Sequence, residues 1–187
     1  MTTHRLFQQP WPEGDYRFFQ VGFVVDDLFA AADRWVRAYG VGPFHALPRA
    51  ESPTTYRGRP STIDLQVAVA QAGPLQIELI RVHSDGESIF TDFAEVRSGL
   101  HQLCTLTYDF DATVAHYTEL GYELVAEMGR SQRVAFFDTT EDFGFFTEVA
   151  EARPRFVEAV ARIARTCAGW DGSDPIRILT RDGYRTP

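Results

Sequence analysis

Lysine is absent from this chain. All 18 of its basic residues are arginines, and against 26 acidic residues they leave a formal net charge of −8. Arginine without lysine reads as nucleotide-composition bias rather than function. The acidic balance argues against nonspecific nucleic-acid or anionic-membrane binding, since both depend on a basic face that attracts phosphate. Cysteine is nearly as scarce. Cys104 and Cys167 are the only two, they form no CxxC, and no secretory leader follows Met1, so the chain reads as a reduced, cytoplasmic protein. Long apolar runs are missing too, and none approaches the roughly 20 residues of a membrane-spanning helix. What remains, at 187 residues and 44% hydrophobic, is a globular chain large enough to bury a sizeable core.

The most informative pattern present is a repeat. Gln20-Val-Gly-Phe-Val-Val-Asp-Asp-Leu leads into a helix ending at Gly40, and His101-Gln-Leu-Cys-Thr-Leu-Thr-Tyr-Asp-Phe leads into one ending at Gly121. Gln20 to His101 and Gly40 to Gly121 are both 81 residues apart, which predicts that Gln20 and His101 are equivalent. Each half closes on an apolar strand with a single acid, Glu78 in Leu75-Gln-Ile-Glu-Leu-Ile and Glu148 in Phe145-Phe-Thr-Glu-Val. Such a doubling predicts two similar supersecondary units around one core, with a site on the axis between them.

Periodicity fills in the units. Leu28, Ala31, Ala32, Trp35, Val36 and Tyr39 form one helical stripe, with Asp27 as N-cap and Gly40 beyond the end. Val41 to Thr62 shows no clear period and reads as a long loop, a wall or lid over the site. Ile63–Ala70 and the strand carrying Glu78 read as a hairpin. Five segments result: a leader (1–17), a first unit (18–83), a linker with a short helix around Ile89, Phe90 and Phe93 (84–99), a second unit (100–150), and a C-terminal helix and tail (151–187). The last helix carries the stripe Phe156, Ala159, Val160, Ile163, Ala164 and Cys167, with Pro154 in its first turn. Past it, the tail reads as irregular and packed by Trp170 and Ile176.

Side-chain alternation along the strands puts Gln20, Glu78, His101 and, through the repeat, Glu148 on the face away from the helices. Two carboxylates, an imidazole and an amide oxygen make a set of hard to borderline ligands, suited to Zn²⁺, Ni²⁺, Co²⁺, Mn²⁺ or Mg²⁺ with positions left for water or substrate. A carboxylate in an apolar strand is costly to bury without a partner, and a cation, or else an arginine, would supply one. For substrate contacts, Tyr56, Arg57 and Arg59 could meet a carboxylate or phosphate, whereas Phe44, Phe136 and Phe146 suit an apolar ligand.

The doubled strand-Asp-helix-Gly pattern, Gly40-Val-Gly-Pro-Phe, Tyr56-Arg-Gly-Arg-Pro, Gly73-Pro-Leu-Gln-Ile-Glu-Leu-Ile and Gly99-Leu-His-Gln-Leu together resemble the vicinal oxygen chelate superfamily (glyoxalase/bleomycin resistance/dioxygenase). Within it, the chain looks most like glyoxalase-like proteins near methylmalonyl-CoA epimerase. The resemblance runs from about Phe18 to Val149. It implies an α+β fold of two βαβββ modules in a cupped mixed sheet, a divalent metal on Gln20, Glu78, His101 and Glu148, and a homodimer.

The function this implies is an isomerase, epimerase or lyase that moves a proton next to a metal-chelated carbonyl of a small organic substrate, with Glu148 as base and Glu78 as second acid. A metal-free sequestering protein is the alternative from another class. An extradiol dioxygenase is the oxidative alternative, and Gln20 in a histidine position counts against it.

Overall fold

The computed structural model describes residues 17–92, 99–129 and 132–187. The leader up to residue 16, and Phe93 of the linker helix, lie outside them. The fold is α+β, a mixed sheet curled into a barrel-like cup with a few helices. The first module is β1 (Gln20–Val24), α1 (Leu28–Tyr39), a short β2 (Phe44–Ala46), β3 (Ala50–Tyr56), β4 (Arg59–Ala72) and β5 (Leu75–Val82). After a four-residue α2 (Ile89–Asp92), the second runs β6 (Gly99–Thr107), α3 (Phe110–Glu119), β7 (Leu124–Met128), β8 (Val134–Phe137), α4 (Thr140–Phe143) and β9 (Phe146–Glu151). The chain finishes on α5 (Pro154–Ala168), β10 (Ile176–Thr180) and β11 (Gly183–Arg185).

The two modules meet twice. β1 pairs antiparallel with β6 on one side, and β3 pairs antiparallel with β7 on the other. With β5 joined to both β1 and β4, eight strands close into a ring, in the order β4, β3, β7, β8, β9, β6, β1, β5. A ring of eight strands is just wide enough to be filled by side chains or to hold one small ligand.

The helices start where the sequence says they must. Asp27 Oδ1 accepts from the backbone N–H groups of Phe29 and Ala30, both at 3.0 Å, and Asp109 Oδ1 accepts from Ala112 N at 3.1 Å. Each bond satisfies amides that a first turn leaves without a helical partner. α1 buries Leu28, Ala31 and Ala32 on the outer face of the sheet, against Val21, Ala68, Ala70, Ile77 and Leu79. α3 sets Phe110 against Ala135, Phe137 and Val149. The inner face is filled by Val24, Tyr56, Ile63, Ile80, Ala126, Phe136 and Phe146, and α2 adds Ile89 and Phe90 to the same cluster.

Two stretches read as irregular are ordered strands. The expected loop from Val41 to Thr62 contains all of β3, which turns into β4 at Arg57 (φ 44°) and Gly58 (φ 74°). Two consecutive positive φ values are the geometry of a tight two-residue hairpin, and Arg-Gly supplies it without the usual Asn or Asp at the first position. This segment is therefore the wall that closes the ring rather than a lid. The C-terminal tail likewise forms the β10–β11 hairpin, and β10 lies parallel to β2 from Ile176 to Ile178. Trp170 is buried, as expected, with Nε1 donating to Ser173 O at 2.6 Å. No helix among the described residues is long and apolar enough to cross a membrane.

Candidate functional site

The parallel strand pairs set the true register of the repeat. β1 runs beside β5 with Gln20 opposite Gln76 and Gly22 opposite Glu78. β6 runs beside β9 with Gln102 opposite Phe146 and Cys104 opposite Glu148. Superposing the halves on Glu78 and Glu148 therefore sets Gln20 over Gln102 and Gly22 over Cys104. The helix starts agree, because Gln20 precedes its N-cap Asp27 by seven residues and Gln102 precedes Asp109 by seven. The expected equivalence of Gln20 with His101 is thus one residue out of register. It came from matching Gly40 with Gly121, but helix ends are poor markers here: α1 is capped at Gly40 and α3 one residue before Gly121, at Leu120.

A bulge explains where His101 goes. The β1–β6 register shifts between Gly22, opposite Gln102, and Phe23, opposite Leu100, so His101 is the extra residue on β6. A bulge bends its strand and re-aims a side chain. His101 enters the inner apolar cluster, stacked on Phe90 at 4.7 Å and tilted against Phe146 at 5.0 Å, with Nε2 3.0 Å from Ile89 O. Leu103 packs with the outer cluster under α1. Burial depresses the imidazole pKa, partly offset by the bonds to Ile89 and Gln102.

Gln102 links the two acids. Its Nε2 lies 3.1 Å from Glu78 Oε2 and 3.2 Å from Glu148 Oε2, and its Oε1 meets His101 Nδ1. Glu78 keeps some exposed area within the ring, while Glu148 is 7% exposed. Burial raises the carboxyl pKa of Glu78 well above the ordinary range, the facing Glu148 raises it further, and Gln102 partly offsets both. Glu148 is pushed up to about 7 by burial, against bonds from Gln102 and the Cys104 thiol. Burial and the two carboxylates hold that thiol protonated. Gln20 stands apart from this chain of contacts, its Nε2 donating to Gln76 Oε1 at 2.8 Å.

The substrate residues expected from sequence divide by face. Tyr56, Phe136 and Phe146 line the inner cluster. Phe44 does not, because alternation on β2 turns it outward into the core under α1, fully buried. Arg57 leaves the site to pair with Glu123 at 2.8 Å on the surface, and Arg59 is exposed at the hairpin. Sequence reasoning missed Gln102 and Gly22. Counting back from the two helix N-caps, rather than from the glycines that end the helices, would have found the first.

Gly22 is needed for space. A Cβ there would stand 2.5 Å from both Cδ and Nε2 of Gln102 and 2.9 Å from its Oε1, closer than side chains approach. Gly22→Ala is expected to cost about 1–3 kcal/mol through overpacking. Most of that cost should vanish in a Gln102→Ala background, because the clash partner is gone; urea denaturation of both single variants and the double closes the cycle. Strictly additive costs would place the amide elsewhere.

When ionised, two inward carboxylates with only neutral donors, the Gln102 amide and the Cys104 thiol, leave much negative charge uncompensated, and a cation would relieve it. Among the described residues no group of three or more His, Cys, Asp and Glu is placed to hold a metal ion. The nearby donors that remain are amides. The set fits a hard, oxygen-preferring divalent ion better than one that favours imidazole or thiolate.

Residues 19–136 match the model of the Glyoxalase/Bleomycin resistance protein/Dioxygenase superfamily. Among solved structures, methylmalonyl-CoA epimerase from Mycobacterium tuberculosis is similar with a TM-score of 0.53 at 19% identity, over 75% of this chain and 91% of that one. A hypothetical protein from Bacillus halodurans C-125 gives 0.53 at 15% identity, over 73% and 94%. A Streptomyces coelicolor methylmalonyl-CoA epimerase variant in complex with 2-nitronate-propionyl-CoA gives 0.50 at 19%, over 74% and 95%. Comparison with curated protein sequences returns no match. At these identities the structures establish the fold alone, while the family match spans most of both βαβββ modules: the chain belongs to the Glyoxalase/Bleomycin resistance protein/Dioxygenase superfamily.

Proposed function

We propose that this chain is a divalent-cation-dependent enzyme that moves a proton on the carbon next to a carbonyl of a small organic substrate, as an isomerase, epimerase or lyase. The observation that carries this reading is the pair Glu78 and Glu148, two inward acids joined through one amide inside a closed ring. A proton leaving carbon needs a base whose pKa lies near neutrality and a second acid to return it. Glu148, raised to about 7 in the cation-free chain, would act as the base when it is not held by the cation, with Glu78 as the second acid.

Glu78 and Glu148, with the side-chain carbonyls of Gln20 and Gln102, would hold the cation, now without His101 as a direct ligand. When bound, the ion supplies Lewis-acid stabilisation of negative charge developing on a substrate oxygen. Tyr56, Phe136 and Phe146 exclude water and offer apolar walls. Gln102 holds both carboxylates within reach of one amide group, so that two acids could address one substrate carbon.

Calorimetric titration of cation-free protein with Mn²⁺ and Mg²⁺ should show about one site per chain, lost in Glu78→Gln. Incubation in D₂O with methylmalonyl-CoA, the hemithioacetal of methylglyoxal and glutathione, and a cyclic 1,2-diketone should then exchange the acidic carbon-bound proton of at least one. Neither uptake nor exchange would move the chain to the metal-free sequestering reading, for which the apolar ring interior is the supporting observation. The dioxygenase reading needs two imidazoles and a carboxylate on one iron, and no such trio is present among the described residues.

A further inference from the structure

We propose that His101 is a positioning residue: it anchors the Gln102 NH₂ group and thereby turns the Gln102 side-chain carbonyl toward Glu78 and Glu148, lining the site with oxygen. The inference rests on the cation reading above and specifies how one ligand is aimed. His101 Nε2 lies 3.0 Å from the backbone carbonyl of Ile89. A carbonyl oxygen only accepts, so Nε2 carries the hydrogen. A neutral imidazole has one N–H, which makes Nδ1 an acceptor. The atom against Nδ1 is Gln102 Oε1, also an acceptor, and two acceptors have no proton to share.

Half a turn of the Gln102 amide about Cγ–Cδ removes the conflict. The NH₂ and carbonyl ends are nearly equal in size, so the turn keeps the packing over Gly22. Nε2 then donates to His101 Nδ1, and Oε1 takes the place that lies 3.1 Å from Glu78 Oε2 and 3.2 Å from Glu148 Oε2. Three oxygens then face one another and require a cation or protons among them. An imidazolium, donating from both nitrogens, is the competing solution. It would place a full charge in a ring 2% exposed between two phenyl groups, where desolvation disfavours it.

The first gives the same pattern as Gln20, whose NH₂ is held by Gln76. Both halves of the repeat would thus anchor an amide nitrogen and present its oxygen. The His101 bulge, which no ladder pairing needs, provides the anchor in the second half.

Long-range ¹H–¹⁵N correlation on the full, cation-free chain labelled with [¹⁵N]histidine should show His101 protonated at Nε2 and bare at Nδ1 at neutral pH. The Nδ1–H tautomer or the imidazolium would overturn the proposal. In Mn²⁺ titrations, His101→Phe keeps a ring in the stack but removes the acceptor, and should weaken binding by roughly 10- to 100-fold, as loss of a group that orients a metal ligand does. Adding Gln102→Glu, whose carboxylate has oxygen at both ends, should restore affinity. Unchanged Mn²⁺ affinity in His101→Phe would overturn the positioning role. If the wild type takes up no Mn²⁺, the cation reading falls, whereas the tautomer measurement still decides the orientation of Gln102.

Discussion

Glu148→Gln is expected to slow deuterium exchange at the acidic carbon of whichever probe substrate the wild type labels by roughly 10²- to 10⁴-fold, the loss typical of a positioned base. The fold should survive, because glutamine is close to isosteric and removes a charge from a buried site rather than adding one. Glu78→Gln separates two versions of the chemistry. If transfer runs between opposite faces of the carbon, its loss should be equally severe at any Mn²⁺ concentration, whereas a role mainly as ligand would let high Mn²⁺ restore the rate. A primary isotope effect on the deuterated substrate should accompany the wild-type reaction, provided product release does not mask the chemical step. Exchange at the wild-type rate in Glu148→Gln would remove the base from the proposal.

The second large effect is on stability, and its sign follows from the carboxylates. Glu148 is raised from an ordinary value near 4.5 to about 7, and Glu78 moves in the same direction. Below about pH 4.5 the folded and unfolded chains both hold the Glu148 proton, and its contribution to stability is fully present. As pH rises through 7 the unfolded chain has already released that proton while the folded chain must do so against burial, so stability falls. Across that window the metal-free wild type should lose on the order of 3 kcal/mol relative to Glu148→Gln, at 1.36 kcal/mol per pKa unit. Saturating Mn²⁺ should reverse the slope, since the ion binds only the ionised pair and stabilises the folded state by mass action. Urea denaturation at pH 5 and pH 8, with and without the ion, reads both. A profile parallel to that of Glu148→Gln would mean that Glu148 titrates as though it were in water.

Much of this fold is legible in the residues because the signals are local. Asp27 and Gly40 mark the ends of α1, and Pro154 with the stripe from Phe156 to Cys167 marks α5. The lone acids in two apolar strands, Glu78 and Glu148, single themselves out by the cost of burying charge. The doubled pattern carries the two-module architecture, since each unit needs the other to cover its apolar face.

Other features depend on partners distant in sequence. β3 is stabilised by hydrogen bonding to β4 and then to β7 of the other module, and nothing within its own Pro- and Thr-containing stretch demands a strand. β10 forms because β2 offers it an edge. The bulge at His101 exists only in the pairing of β6 with β1, and a shift of one residue exchanges which side chains face the core. That two acids face a shared interior is therefore readable from the residues alone, through the energetics of burial. That Gln102 joins them while His101 stands behind it follows from the fold, because strand register is set by pairing between modules and is invisible along the chain.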